Sequence, residues 1–132
     1  MAKMVGPEGK VIGIDHIQEL IELSESNIRK HHSELLDSKV IQLKTGDGRL
    51  GYEPESPYHA IHVGAAAKTL PKELVDQLVL GGRLILPIGK TANTQKLEQI
   101  DKLQNGEVTR KELCAVRFVP LTDKECQWSD ET

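Results

Sequence analysis

YHAIHVGAAA, Tyr58 to Ala67, is a short apolar run, Ala60 to Val63, that passes into a turn without side-chain bulk, Gly64 to Ala67. A strand that ends in small residues leaves space at its carboxyl end. In open α/β sheets that end is where ligands sit, in the crevice at which the strand order reverses. Ala60 to Val63 is therefore read as the middle of a parallel sheet, and the turn after it as the floor of a cofactor site.

Working upstream, Gly46 to Arg49 (GDGR) is a turn-forming sequence that places Asp47 just beyond a strand at Val40 to Leu43. Ser33 to Lys39 reads as a loop. Ile17, Leu20, Ile21 and Ile28 recur at helical spacing opposite Glu19, Glu22, Glu25, Arg29 and Lys30, which predicts an amphipathic helix from Ile17 to about His31. Before it, KVIGID at Lys10 to Asp15 is a buried strand with an acid at its carboxyl end. Ala2 to Val5 reads as the last turn of a helix, with Gly6 able to cap it in a left-handed conformation and Pro7 stopping it.

Downstream, Leu70, Leu74, Val75 and Leu78 are spaced for a helix with Pro71 in its first turn and Gly81-Gly82 at its end. RLILPI at Arg83 to Ile88 is another buried strand. Gln95 to Leu103 and Glu112 to Val119 then flank Asn105-Gly106, a two-residue hairpin signal. Two strand-helix units and a hairpin make an α/β domain.

At 132 residues with no shift in composition, one domain over residues 1–132 is expected. A net charge of −3 with scattered Lys and Arg argues against a nucleic-acid partner. Cys114 and Cys126 have neither C-x-x-C nor His-paired metal spacing, which fits a reducing compartment and no metal. No apolar run approaches the roughly 20 residues of a membrane span, and Met1 starts no charged-then-apolar leader. The expectation is a soluble, cytosolic protein without a membrane partner.

Chemically, Asp15 at a strand end is placed either to accept hydrogen bonds from ribose hydroxyls or to cap the helix that follows, and position alone divides the two readings evenly. Asp47 between glycines can meet an adenine amine or close an Asx turn. With the Gly64 to Ala67 turn they outline a nucleoside-sized crevice. No G-x-G-x-x-G run, P-loop or nucleophile triad can be assembled, and His16, His31, His32, His59 and His62 read as structural or solvated.

Taken together, KVIGIDHI, GDGR, AIHVGAAA, GGRLILPIG at Gly81 to Gly89 and VPLTDKE at Val119 to Glu125 with Gln127 and Trp128 resemble the protein-L-isoaspartate (D-aspartate) O-methyltransferase family, over Ala2 to Trp128. The resemblance implies an S-adenosylmethionine-dependent methyltransferase (Rossmann-like) sheet of strand order 3-2-1-4-5-7-6, with Ala60 to Val63 as the fourth strand and an antiparallel hairpin at the end. It implies a repair enzyme that methylates the carboxylate of isoaspartyl or D-aspartyl residues in damaged proteins, with S-adenosyl-L-methionine as methyl donor. By position, Asp15 with His16 beside it would bind the cofactor ribose, Asp47 and Gly48 would meet the adenine, and Thr122 and Gln127 would close over the cofactor.

The family pattern also carries a substrate segment and a first strand with a glycine-rich cofactor loop ahead of the point where AKMVG matches, and His59 stands where the family has Asp. The chain is accordingly expected to be the C-terminal part of the family domain, a monomer when folded and inactive unaided, with no catalytic residue of its own. Without the first strand, it is expected to fold poorly or to pair the strands at Val11 to Asp15 and Ala60 to Val63 directly. Two rival functions are a non-catalytic interaction module and a nicotinamide-dependent enzyme that uses Asp15 for ribose.

Overall fold

The computed structural model describes the backbone of residues 1–127 and the side chains of residues 1–125. It divides into two compact units, one of residues 1–48 with the described residues from Asp123 onward, the other Arg49–Thr122.

In the first unit, α1 (Ala2–Val5) ends at Gly6, whose φ of 79° is open to glycine but whose ψ of −179° is extended and not the left-handed cap expected. Strand β1 (Val11–Asp15) pairs in parallel with β2 (Ile41–Thr45), and α2 (Gln18–Asp37) makes the crossover and packs on both strands. Ile17, Ile21 and Val40 are buried. The helix is longer than its apolar period predicts. At His32 the backbone leaves helical values (φ −142°, ψ 38°), yet the helix resumes and runs to Asp37. Arg29 spans the break, bonding Glu25 at 3.3 Å on one side and Asp37 at 3.1 Å on the other. Ser33 to Asp37 is thus helix where a loop is expected. The helix–loop boundary read from sequence falls on a kink. The unit closes with α4 (Lys124–Gln127).

The second unit is a four-stranded sheet in the order β3-β4-β5-β6, formed by β3 (Tyr58–His62), β4 (Leu78–Ile88), β5 (Lys96–Lys102) and β6 (Val108–Ala115), with α3 (Lys72–Asp76) between β3 and β4. β3 and β4 are parallel, and the remaining pairs are antiparallel. Its core is Leu74, Leu78, Leu84, Leu86, Ile88, Ile100 and Ala67. Leu84 and Ile100 face each other in register, and both are fully buried.

Further expectations change here. Ala60 to Val63 is not central: among the described residues β3 is the outer strand of its sheet and β1 pairs with β2 alone, so β1 and β3 are not paired with each other. The hairpin order is also different. Only residues 89–95 lie between β4 and β5, whereas a parallel neighbour needs a crossover of roughly a dozen residues or more, so β5 turns straight back beside β4 and β6 lies outside it. In family numbering this is 3-2 and 4-5-6-7, not an order ending 5-7-6. Finally, Gly81 and Gly82 do not end a helix. α3 stops at Asp76, where Lys102 Nζ donates to the carbonyls of Val75 and Leu78, each at 3.2 Å. The glycines lie inside β4, where pairing jumps from Tyr58–Leu78 to Ala60–Arg83. Gly81 takes φ 85° there, and a Cβ on Gly82 would stand 2.9 Å from the Val79 carbonyl oxygen. The outer hairpin arm begins at Val108, directly after the turn, and not at Glu112. All eight of its residues are exposed, so it carries no apolar period to read.

Two buried glutamines hold loops to this sheet by their amides. Gln77 donates from Nε2 to Leu50 O at 2.8 Å and accepts at Oε1 from Tyr52 N at 2.9 Å. Gly51, between them, has φ 64°, and a Cβ there would run into the same amide. Gln95 donates from Nε2 to Phe118 O at 3.0 Å and accepts from Phe118 N at 2.6 Å. Gln77→Ala leaves a backbone donor and acceptor without partners and is expected to cost about 2 kcal/mol, read as a lower urea midpoint.

Across β4 and β5, Arg83 Nε donates to Asp101 Oδ1 at 2.7 Å. This bond, then one from Gln99, holds the Asp101 carboxyl below its ordinary range. A depressed carboxyl contributes stability above its unfolded value, and the contribution is lost as pH falls through the folded value. The urea midpoint is expected to drop between about pH 5 and about pH 2, and to drop less in Asp101→Asn.

Candidate functional site

The carboxyl ends of β1 and β2 are level because the strands are parallel and Asp15 is in register with Thr45. A Cβ on Gly13 would lie 2.8 Å from Cδ2 of Leu43, the movable end of the side chain of its register partner. One residue past the register, Gly46 N donates to Asp15 O at 3.0 Å, which extends the ladder into the GDGR turn. Asp47 and Gly48 follow at once, Gly48 opening a short 3-10 turn that runs to Leu50. Asp15, His16, Asp47 and Gly48 are all half-buried at this one edge.

Asp15 Oδ1 accepts from Ile17 N at 2.9 Å, and Ile17 O in turn accepts from Leu20 N and Ile21 N as α2 begins. Asp15 is not the N-cap that one reading expects: the cap is Ile17, with no side-chain cap bond, and among the described residues Asp15 bonds only the N–H of that residue. Oδ2 accepts no hydrogen bond among the described residues, so the same carboxylate keeps an acceptor for a ligand hydroxyl. Beside it, Thr45 Oγ1 donates to Gln18 Oε1, joining the end of β2 to the first turn of α2.

The other predicted residues lie elsewhere in the chain. Thr122 ends the second unit, one residue after Leu121, whose N–H donates to Ala66 O at 2.8 Å. Gln127 is the last residue of α4; its side chain, and all of Trp128, lie outside the described residues. The Gly64 to Ala67 turn is not an open floor. Ala66 and Ala67 are buried because they bridge in parallel to Pro120 and Ile88, with Ala67 N donating to Pro87 O at 3.0 Å. Their missing bulk admits neighbouring backbone. Among the described residues no group of His, Cys, Asp and Glu is arranged to hold a metal ion.

The family model for Protein-L-isoaspartate(D-aspartate) O-methyltransferase matches residues 1–126. The chain belongs to this family. A protein-L-isoaspartate O-methyltransferase of Caenorhabditis elegans is 50% identical over 129 residues, covering 98% of this chain and 57% of the relative. Protein-L-isoaspartate O-methyltransferase 1 of Arabidopsis thaliana is 46% identical over 127 residues, 96% of this chain and 54% of the relative. The chain spans about half the length of the curated relatives it matches.

Among solved structures, a Plasmodium falciparum protein with the same family description, in complex with S-adenosyl-L-homocysteine, superposes with a TM-score of 0.76 at 35% identity, covering 86% of this chain and 52% of that one. A protein-L-isoaspartate O-methyltransferase at 24% identity and TM-score 0.78, covering 92% of this chain and 37% of that one, bears out the fold. Both agree with a Rossmann-like methyltransferase architecture.

In this member of the family, the sequence reading takes Gly46 only as part of the GDGR turn and does not single out Gln18. Gly46 acts through a backbone N–H, which no side-chain motif announces. Gln18 sits on the polar face of an amphipathic helix, where its type is unremarkable. Asp15→Ala removes the acceptor for Ile17 N and is expected to lower stability by about 1 kcal/mol, with Asp15→Asn close to the parent, as read by urea unfolding.

Proposed function

We propose that this chain supplies the cofactor-holding part of a protein carboxyl methyltransferase that acts on isoaspartyl and D-aspartyl residues of damaged proteins, as a cytosolic monomer. The observation that carries the reading is the edge at which Asp15 and Asp47 are held together by the β1–β2 register and the Gly46 N–Asp15 O bond. Asp15, through Oδ2, accepts from the ribose hydroxyls, with His16 beside it. Asp47 and Gly48 meet the adenine, and the family resemblance also assigns Thr122 and Gln127 to the cofactor. The donor set supports this fit, because a neutral diol and an exocyclic amine both seek acceptors and the edge carries two carboxylates.

S-adenosyl-L-methionine, when bound, supplies a methyl group on a sulfonium. The accepting isoaspartyl carboxylate is ionised at neutral pH and needs no strong base, so the protein's contribution is binding and orientation. In this chain that contribution is the ribose and adenine end, and no catalytic residue is assigned.

A second reading, a non-catalytic interaction module, draws on β1 and β3, each hydrogen-bonded to a single named strand. Calorimetric titration of the chain with S-adenosyl-L-homocysteine, after circular dichroism has verified folding, separates the two. Under the cofactor reading, binding is expected and weakens at least about tenfold in Asp15→Ala and in Asp47→Ala, the loss of one hydrogen bond to a charged group in each. A folded chain that does not bind, or that binds equally well without both carboxylates, overturns it.

A further inference from the structure

The hairpin turn Asn105-Gly106 has no part in the cofactor edge, yet it brings together an electrophile and a nucleophile. Asn105, Gly106 and Glu107 are exposed. Gly106 has φ 86°, and no atom lies within 4 Å of the place a Cβ would occupy. Asn105 Oδ1 accepts from Glu107 N at 2.9 Å, which draws electron density from the carboxamide carbon, and Nδ2 donates to Glu107 Oε2 at 3.0 Å.

We infer that Asn105 is a site of spontaneous deamidation through a succinimide formed with Gly106. The deprotonated backbone nitrogen of Gly106 attacks Asn105 Cγ. The N–Cγ bond forms, the Cγ–Nδ2 bond breaks, and ammonia leaves with a proton from water. Water then adds to one of the two ring carbonyls. Opening at Cγ leaves aspartate, and opening at the main-chain carbonyl leaves isoaspartate, with the backbone now routed through the side chain. Gly106 N donates to Leu103 O at 2.9 Å, so attack proceeds from moments when this one turn bond is open.

The other asparagines lack this arrangement. Asn27 precedes Ile28 inside α2, and Asn93 precedes Thr94, so a branched residue shields the nucleophilic nitrogen in both. Asp47 also precedes a glycine, but an ionised carboxylate is a poorer electrophile than a carboxamide.

The product changes the hairpin. A carboxylate replaces the amide that donates to Glu107, setting two negative groups against each other. Isoaspartate also adds a backbone atom inside the loop closed by Leu103 N donating to Glu107 O at 2.7 Å.

The test is to hold the purified chain in warm, mildly alkaline buffer and follow its peptides by mass spectrometry, with fragmentation that distinguishes aspartate from isoaspartate. The expected result is that the Asn105 peptide gains the mass difference of NH2 replaced by OH ahead of the Asn27 and Asn93 peptides. It should yield both acids and react faster as pH rises. Asn105→Gln, whose longer side chain would have to close a larger ring, is expected to stay unchanged at that peptide. No mass gain at Asn105, a gain no faster than at Asn27 and Asn93, or aspartate without isoaspartate would each overturn the inference.

Discussion

The second unit depends on β4. Its backbone is hydrogen-bonded on both sides, to β3 in parallel and to β5 antiparallel, and its side chains Leu84 and Leu86 are wholly withdrawn from water. Burying a leucine contributes about 2 kcal/mol, but a strand buried on both sides gains that only if its peptide groups find partners. Arg83 to Ile85 meet the condition with β3 on one side and β5 on the other, Leu86 to Ile88 pair with β5 and Ile88 bridges to Ala67, while between Leu78 and Arg83 the register slips and a Cβ on Gly82 would meet the Val79 carbonyl. Lys102 then serves the carbonyls of Val75 and Leu78 around the end of α3, and Gln77 serves the peptide groups of Leu50 and Tyr52.

What the sequence discloses follows the strength of each local signal. The runs KVIGID and RLILPI are short, apolar and bounded, and both are strands. The parallel β1–β2 pair follows from a helical stretch long enough for a crossover. The α2 extension past His32 is not legible because the backbone kinks there and only Leu35 and Leu36 are apolar beyond it, too few to show a period. β6 was misplaced for a related reason. It is an exposed outer strand, and polar residues such as Thr109, Arg110 and Lys111 leave its start unmarked except by the turn before it. The order of the last two strands came with the family pattern, but the length of the β4–β5 link decides it.

The candidate site was legible in part. Asp15 and Asp47 stand beyond strand ends, and the register brings those ends level, so a pattern of strand followed by acid translates directly into proximity. The alanine turn misled because small residues admit backbone as readily as ligand. Ala66 and Ala67 are taken up by the segment around Pro120 and by the end of β4. Smallness marks a close approach without naming what approaches.

Gln77 and Gln95 attach their loops through the peptide groups of Leu50, Tyr52 and Phe118, and the side chains of Leu50 and Phe118 remain at the surface, 60% and 36% exposed. An amide that grips main chain is blind to residue identity. These two loops can accordingly drift in sequence at Leu50 and Phe118 and keep their anchorage, while the glutamines and Gly51 stay under constraint. Divergent surfaces can thus be carried on an unchanged sheet.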